Sequence, residues 1–205
     1  MQFAKRMEGL RTSEIREILK HTARPDVISF AGGLPAAELF PVEELIEITT
    51  AILSREGGRA LQYSTTEGDP ELRETLARRL RERWGCTVDA DEILVTCGSQ
   101  QGLDLLGRVL LDEGDVVLCE SPTYLGAIQA FRGYRPRFVE VATDDDGMLP
   151  DELERVLAST ERVKLVYVVP DFQNPSGRCW SEARRRRLLE LARRHGVLVV
   201  EDSPY

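Results

Sequence analysis

This 205-residue chain has no apolar run near the ~20 residues that a membrane-spanning helix needs, which excludes such a helix. Its first fourteen residues carry Lys5, Arg6 and Arg11 with no apolar core behind them, so a secretory signal is not expected and the cytoplasm is the expected compartment. A basic surface is lacking too: the net charge of -8 argues against nucleic acid as a partner. The one basic cluster, Arg184 to Arg187, shares a helical pattern with Leu188, Leu189 and Leu191 and reads as a solvated helix face. Cys86, Cys97, Cys119 and Cys179 are too scattered for a metal knuckle and, in a cytosolic chain, form no disulfide framework; they read as small core residues. His21 and His195 stand apart from each other and from the cysteines, which fits surface or helix-end positions, and no metal site is expected. With 42% hydrophobic and 30% charged residues, the composition is that of a globular protein able to bury a substantial core.

The order of elements is more informative. Thr12 or Ser13 caps a short helix bearing Ile15, Ile18 and Leu19, and Asp26 to Phe30 runs extended into Gly32-Gly33-Leu34-Pro35, giving an N-terminal arm over residues 1–40. Pro41 opens a helix with Leu45, Ile48, Ile52 and Leu53 on one face, closed by Gly57-Gly58. Asp69-Pro70 opens another, with Leu72, Leu76, Leu80 and Trp84 at spacings of four and Gly85 as its stop. From Glu92 onward strands and helices alternate. Strands are expected at 93–96, 116–119, 137–140, 165–169 and 197–200, and helices at 100–111, 124–131, 150–158 and 182–195. Apolar strands separated by helices predict an α/β domain over 41–205 with a mainly parallel, helix-covered sheet. Asp144-Asp145-Asp146-Gly147 reads as a solvated turn.

Open α/β sheets bind ligands beyond the carboxyl ends of their strands, and four such ends carry chemistry here. In Thr96-Cys97-Gly98-Ser99-Gln100-Gln101-Gly102, glycine permits a tight turn into a helix whose free N–H groups favour an anion such as phosphate; Ser99 also suits a plain N-cap. Glu120-Ser121-Pro122-Thr123-Tyr124 sets a ring at the sheet edge, either to stack on a planar ligand or to pack on the next helix. Asn174, in Pro170-Asp171-Phe172-Gln173-Asn174-Pro175-Ser176-Gly177, either holds its own turn or donates its amide to a ligand oxygen. Glu201-Asp202-Ser203-Pro204-Tyr205 adds an acid and a phenol directly after an apolar strand, and a chain stopping there reads as the front part of a longer protein. A carboxylate facing a heteroaromatic nitrogen keeps it protonated, and an amide and a phenol can share a phenolic oxygen. Together these groups complement the parts of pyridoxal phosphate.

The motifs, in this order, resemble the first half of a fold-type I, pyridoxal-phosphate-dependent aminotransferase of class I/II, over essentially the whole chain. The pieces that carry the resemblance are Gly32-Gly33-Leu34-Pro35, Tyr63 in Gln62-Tyr63-Ser64-Thr65-Thr66-Glu67-Gly68, Gly98-Ser99-Gln100-Gln101, Tyr124, Asn174-Pro175-Ser176-Gly177 and Glu201-Asp202-Ser203-Pro204-Tyr205. The resemblance implies that Gly98, Ser99 and Gln100 bind the cofactor phosphate, that Tyr124 stacks on the ring, that Asn174 and Tyr205 bond its phenolic oxygen and that Asp202 pairs with its nitrogen. It implies a homodimer in which Tyr63 reaches the phosphate of the neighbouring subunit. The arm is similar to that of aminotransferases acting on 2-aminoadipate, aromatic or other bulky amino acids, with Arg16, Gly33 and Asn174 as substrate contacts; the plainer reading of Arg16 is a solvated helix residue. The substrates implied are an amino acid and a 2-oxo acid.

The chain also departs from the pattern. Such enzymes use a lysine bonded to the cofactor and a later arginine for the substrate carboxylate. The lysines here, Lys5, Lys20 and Lys164, have neither the position nor the setting of that residue, and the C-terminal small domain is missing. The 205 residues alone are therefore expected to be inactive. Competing readings are a lyase of the same fold, the sensing domain of a pyridoxal-phosphate-binding transcription regulator, and a non-catalytic truncated product. A regulator is expected to carry a basic DNA-binding domain ahead of the arm, where this chain has only a few residues after Met1.

Overall fold

The computed structural model describes residues 3–4, 7, 26–28 and 35–205. The expectations for the first helix, for Arg16, Gly33, Lys5, Lys20 and His21 lie outside these residues. The chain divides into two compact units, one comprising Arg11–Val95 and the other built on Thr96–Tyr205.

In the first unit, α1 (Val42–Glu56) follows Pro41 and ends at Gly57, whose φ of 48° belongs to the left-handed region. None of its residues is buried, and its apolar face, with Leu45, Ile48, Ile52 and Leu53, is exposed. Helix α2 (Pro70–Trp84) begins and ends as its sequence dictates: the Asp69 carboxylate accepts the Leu72 N–H, proline occupies the first turn, and Gly85 takes the left-handed conformation. Arg73 donates to the Ala90 carbonyl at 3.1 Å, tying α2 to the 3-10 turn Ala90–Glu92.

The strand expected at 93–96 is absent. Ile93 is extended, and the Val95 N–H donates to the Glu67 carbonyl at 2.9 Å, but the segment joins no ladder among the described residues. Apolar periodicity specifies an extended segment. A strand further requires a neighbour whose backbone groups match its own.

The second unit is a three-layer α/β arrangement. Its elements are α3 (Gly98–Leu110), β1 (Val116–Ser121), α4 (Leu125–Arg132), β2 (Arg137–Asp144), β3 (Gly147–Met148), α5 (Pro150–Ser159), β4 (Val163–Val168), α6 (Glu182–His195) and β5 (Leu198–Glu201). The sheet order is β3-β2-β1-β4-β5, parallel throughout except for the short β2–β3 hairpin. Alternate residues of the central strands feed two separate cores. Val116 and Leu118 of β1 with Val166 and Val168 of β4 pack under α5 and α6, against Leu153, Val156, Leu188 and Leu191. Val117, Leu165 and Tyr167 point the other way, into Leu103, Ala127 and Phe131 of α3 and α4. Being covered on both faces is what makes β1 and β4 read as unbroken apolar runs. Each fully buried side chain of this kind contributes about 1.5–3 kcal/mol.

The path from β1 goes to β2 on one side and, later, to β4 on the other. The direction of winding therefore reverses between β1 and β4, and a crevice opens at the carboxyl ends of these strands.

Three expectations, two for surface segments and one for the cysteines, are corrected by the packing. Arg184 and Arg185 are not a solvated face: Arg184 donates to the Met148 carbonyl at 2.5 Å and to Asp144 at 2.8 Å, and Arg185 to Asp171 at 2.7 Å and to the Pro170 carbonyl at 3.0 Å. Arg186 and Arg187 pair with Glu182, Glu154 and Glu190 on the surface. The acidic turn is solvated at Asp145 and Asp146, as expected, but structural at its ends. Asp144 caps it through the Asp146 N–H, and buried Gly147 (φ 110°) lies so close to Trp180 that an added Cβ would stand 2.5 Å from the ring. Of the cysteines only Cys119 is buried; Cys86, Cys97 and Cys179 are exposed, because loops and helix ends, unlike β1, offer no apolar layer to cover them. His195 closes α6, as expected of a helix-end residue.

No helix among the described residues is long and apolar enough to cross a membrane.

Candidate active site

Pairing of β4 with β5 in parallel register sets Val168 opposite Glu201, and the Asp202 N–H continues the ladder to the Val168 carbonyl at 2.9 Å. The two strand ends therefore finish side by side, beside the end of β1. There a cleft of about 150 Å³ is lined by Ser99, Tyr124, Val169, Asn174, Asp202, Pro204 and Tyr205. Five of these seven are residues singled out by the sequence: Ser99, Tyr124, Asn174, Asp202 and Tyr205. They come from four segments, each leaving a strand or entering a helix.

Ser99 is in the first turn of α3 and is not its cap. Cys97 holds the N-cap position with no side-chain bond to the helix, while Gln101 folds back to accept the Cys97 N–H at 2.6 Å. The first-turn amides have no intrahelical acceptor, and the macrodipole places partial positive charge there. Gly98 has φ 76°, a conformation that suits glycine at this turn. Gln100 spends its side chain on the Gly126 carbonyl at 3.2 Å, joining the starts of α3 and α4, so only its backbone N–H remains for an anion.

Tyr124 holds the N-cap position of α4 with no side-chain bond to the helix, and its ring crosses Gly126 so closely that a Cβ there would stand 2.5 Å from ring atoms. On the far side Tyr205 meets Phe172 edge-to-face, with centroids 6.0 Å apart. The turn carrying Asn174 is fastened by its neighbours. Buried Gln173 donates to the Pro122 carbonyl at 2.8 Å and accepts the Ser176 N–H at 2.7 Å.

Beneath the cleft lies an acid, Glu120, to which the sequence motif containing it gives no role. Glu120, 2% exposed, accepts the Val169 N–H through one carboxylate oxygen and the Trp180 indole N–H through the other, each at 2.9 Å. Burial pushes its carboxyl above the ordinary range, against the pull of these donors and of Gln173. Burial, with Glu140 and Glu120 nearby, also pushes the Cys119 thiol up to about 12, which leaves it an unreactive core group. Tyr167 was likewise read only as part of a strand; its hydroxyl donates to Asp202 Oδ2 at 2.8 Å. In both cases the legible signal was a polar group within an apolar strand, a place where a buried partner is required.

Tyr63 belongs to the other unit and is almost fully exposed, its backbone N–H donating to the Gln62 side chain at 2.8 Å. Lys164 lies near the start of β4, 3.9 Å from Asp115, and no lysine lines the cleft among the described residues.

The model of the family described as aminotransferase class I and II matches residues 25–205. Aromatic-amino-acid aminotransferase 1 of Thermococcus litoralis is 49% identical over 99% of this chain and 50% of its own length. The kynurenine aminotransferase of Pyrococcus horikoshii, solved with PMP, superposes with a TM-score of 0.92 at 46% identity, over 98% of this chain and 51% of that one. The α-aminoadipate aminotransferase of Thermus thermophilus, solved with N-(5'-phosphopyridoxyl)-L-leucine, gives 0.88 at 47% identity, over 99% and 49%. The chain spans about half the length of the relatives it matches. With its family model, fold and relatives in agreement, the chain belongs to the class I and II aminotransferases.

Proposed function

We propose that this chain supplies the cofactor-binding portion of a pyridoxal-phosphate-dependent aminotransferase that moves an amino group from an amino acid to a 2-oxo acid. The observation that carries the proposal is the meeting of Ser99, Tyr124, Asn174, Asp202 and Tyr205 around one cleft. Their chemistry fits the group: an uncapped helix start with a hydroxyl for a phosphate, a ring for a planar heterocycle, an amide and a phenol for a phenolic oxygen, and a carboxylate for a ring nitrogen.

When bound, pyridoxal phosphate supplies an electron sink for the substrate carbon. Ser99 and the amides of Ser99 and Gln100 hold its phosphate, while Gly98, whose N–H is given to the Thr96 carbonyl at 2.9 Å, shapes the turn. Tyr124 lies against one face and fixes the ring plane. Asp202 holds a proton on the ring nitrogen, and Asn174 and Tyr205 orient the ring through the phenolic oxygen. Substrate is the share of Asn174, with Arg16 and Gly33 of the arm; amino acids with aromatic or 2-aminoadipate side chains are the class we favour, since relatives bear those names. The working unit is a cytoplasmic homodimer in which Tyr63 serves the neighbouring subunit.

Binding of 4′-deoxypyridoxine 5′-phosphate, which has no aldehyde and needs no lysine, tests the reading by calorimetry. Asp202→Ala removes one charge-assisted contact, about 1.5–3 kcal/mol, and is expected to weaken binding about 10- to 100-fold. No binding by the parent chain, or a change under about twofold in the variant, refutes it.

A further inference from the structure

Asp202 follows β5, a four-residue strand at the edge of the described sheet whose residues are exposed or half-buried. Such a position gives a side chain little packing to hold it. The restraint comes from elsewhere. Tyr167, 1% exposed in the central strand β4, donates its hydroxyl to Asp202 Oδ2 at 2.8 Å, while the Asp202 backbone is tied to Val168. The Tyr167 ring is itself locked, edge-to-face on Phe131 at 6.1 Å and packed in the core beside Leu103 and Leu165.

We propose that Tyr167 is a positioning residue, whose hydroxyl takes one oxygen of Asp202 and presents the other to the cofactor's ring nitrogen. This rests on the cofactor reading above. A phenol has one proton to give, and burial together with the Asp202 carboxylate raises its pKa, so it remains a donor across the working pH range. Tyr167 thereby transfers the rigidity of the buried sheet to an acid at its margin. A carboxylate already in place loses less side-chain entropy when the ligand arrives.

Tyr167→Phe keeps the ring and its packing on Phe131 and deletes only the donor. The probes are 4′-deoxypyridoxine 5′-phosphate and its 1-deaza analogue, in which C–H replaces the ring nitrogen. The variant is expected to bind the nitrogen probe about 5- to 10-fold more weakly than the parent and the deaza probe equally well, which corresponds to the entropy of ordering a freed Asp202 side chain on binding. A merely structural role would weaken both probes alike, and that result overturns the assignment of Tyr167 while leaving the cofactor reading standing. Failure of the parent chain to bind the nitrogen probe overturns both.

Discussion

Glu120→Gln conserves shape and removes one acceptor. In the parent, Oε2 serves the Val169 N–H and Oε1 serves the Trp180 indole. A carboxamide has one oxygen, so its NH₂ must meet one of these donors head-on. That leaves one buried N–H unsatisfied and a buried NH₂ with no acceptor, at about 1–3 kcal/mol each, or roughly 2–6 kcal/mol in all. Against a typical total stability of about 5–15 kcal/mol this is severe. With an m-value of about 2 kcal/mol/M, the urea midpoint falls by roughly 1–3 M at unchanged m. Trp180 is buried and Trp84 exposed, so in a Trp84→Phe background the emission isolates Trp180 and is expected to shift as the setting of its indole N–H changes. The pH dependence has a definite sign. Because the folded carboxyl sits above its ordinary 4.5, the stability that Glu120 contributes is fully present below that value and is lost as pH rises through the raised folded pKa. In the variant this decline disappears. A midpoint shift under about 0.3 M, with Trp180 emission unchanged, would refute the account of Glu120 as the shared acceptor of the Val169 and Trp180 N–H groups.

Three other outcomes follow from the packing. Gly147→Ala forces a Cβ to 2.5 Å from the Trp180 ring at a φ of 110°, so thermal unfolding should show a loss of about 2–4 kcal/mol. Asp115, buried and bonded to Arg162 at 2.7 Å and to the Asp112 N–H at 2.9 Å, has its carboxyl held below the ordinary 3.8, chiefly by that backbone N–H. Asp115→Asn should cost about 2–3 kcal/mol at neutral pH, and the gap to the parent should close as pH falls through the lowered folded pKa, as acid titration followed by circular dichroism would record. Gly126→Ala favours the helix by up to about 1 kcal/mol yet pushes the Tyr124 ring aside, so the melting temperature should hold or rise while calorimetry shows 4′-deoxypyridoxine 5′-phosphate binding about 2- to 10-fold weaker.

Local rules made much of this legible. Asp69-Pro70 and Gly85 delimit α2, and α6 runs from Glu182 to His195 as its pattern indicates, because caps and periodicity act within a few residues. The candidate site was legible for a different reason: residues just after parallel apolar strands converge, which is how Tyr124, Asn174, Asp202 and Tyr205 reach the cleft that Ser99 joins from the start of α3. What escaped depends on partners distant in sequence. The Glu120 carboxylate finds Trp180 sixty positions on, and Arg184 finds Asp144 forty positions back; neither separation leaves a trace in periodicity. Residues 93–96 show the converse, a strand-like pattern with no ladder to join.

The β4–β5 pairing delivers Asp202 and Tyr205 to the cleft, so a ligand held there grips the last strand and the first turn of α3 at once. It acts as a clasp between segments about a hundred residues apart. At a hundredfold excess over its dissociation constant, a ligand bound only by the assembled form adds about 2.7 kcal/mol, felt most where strand docking is weakest. The amides of β5 therefore become the meter of occupancy: without ligand they should exchange hydrogen through local fraying of the edge, and with it they should slow toward the rate of the buried strand β4.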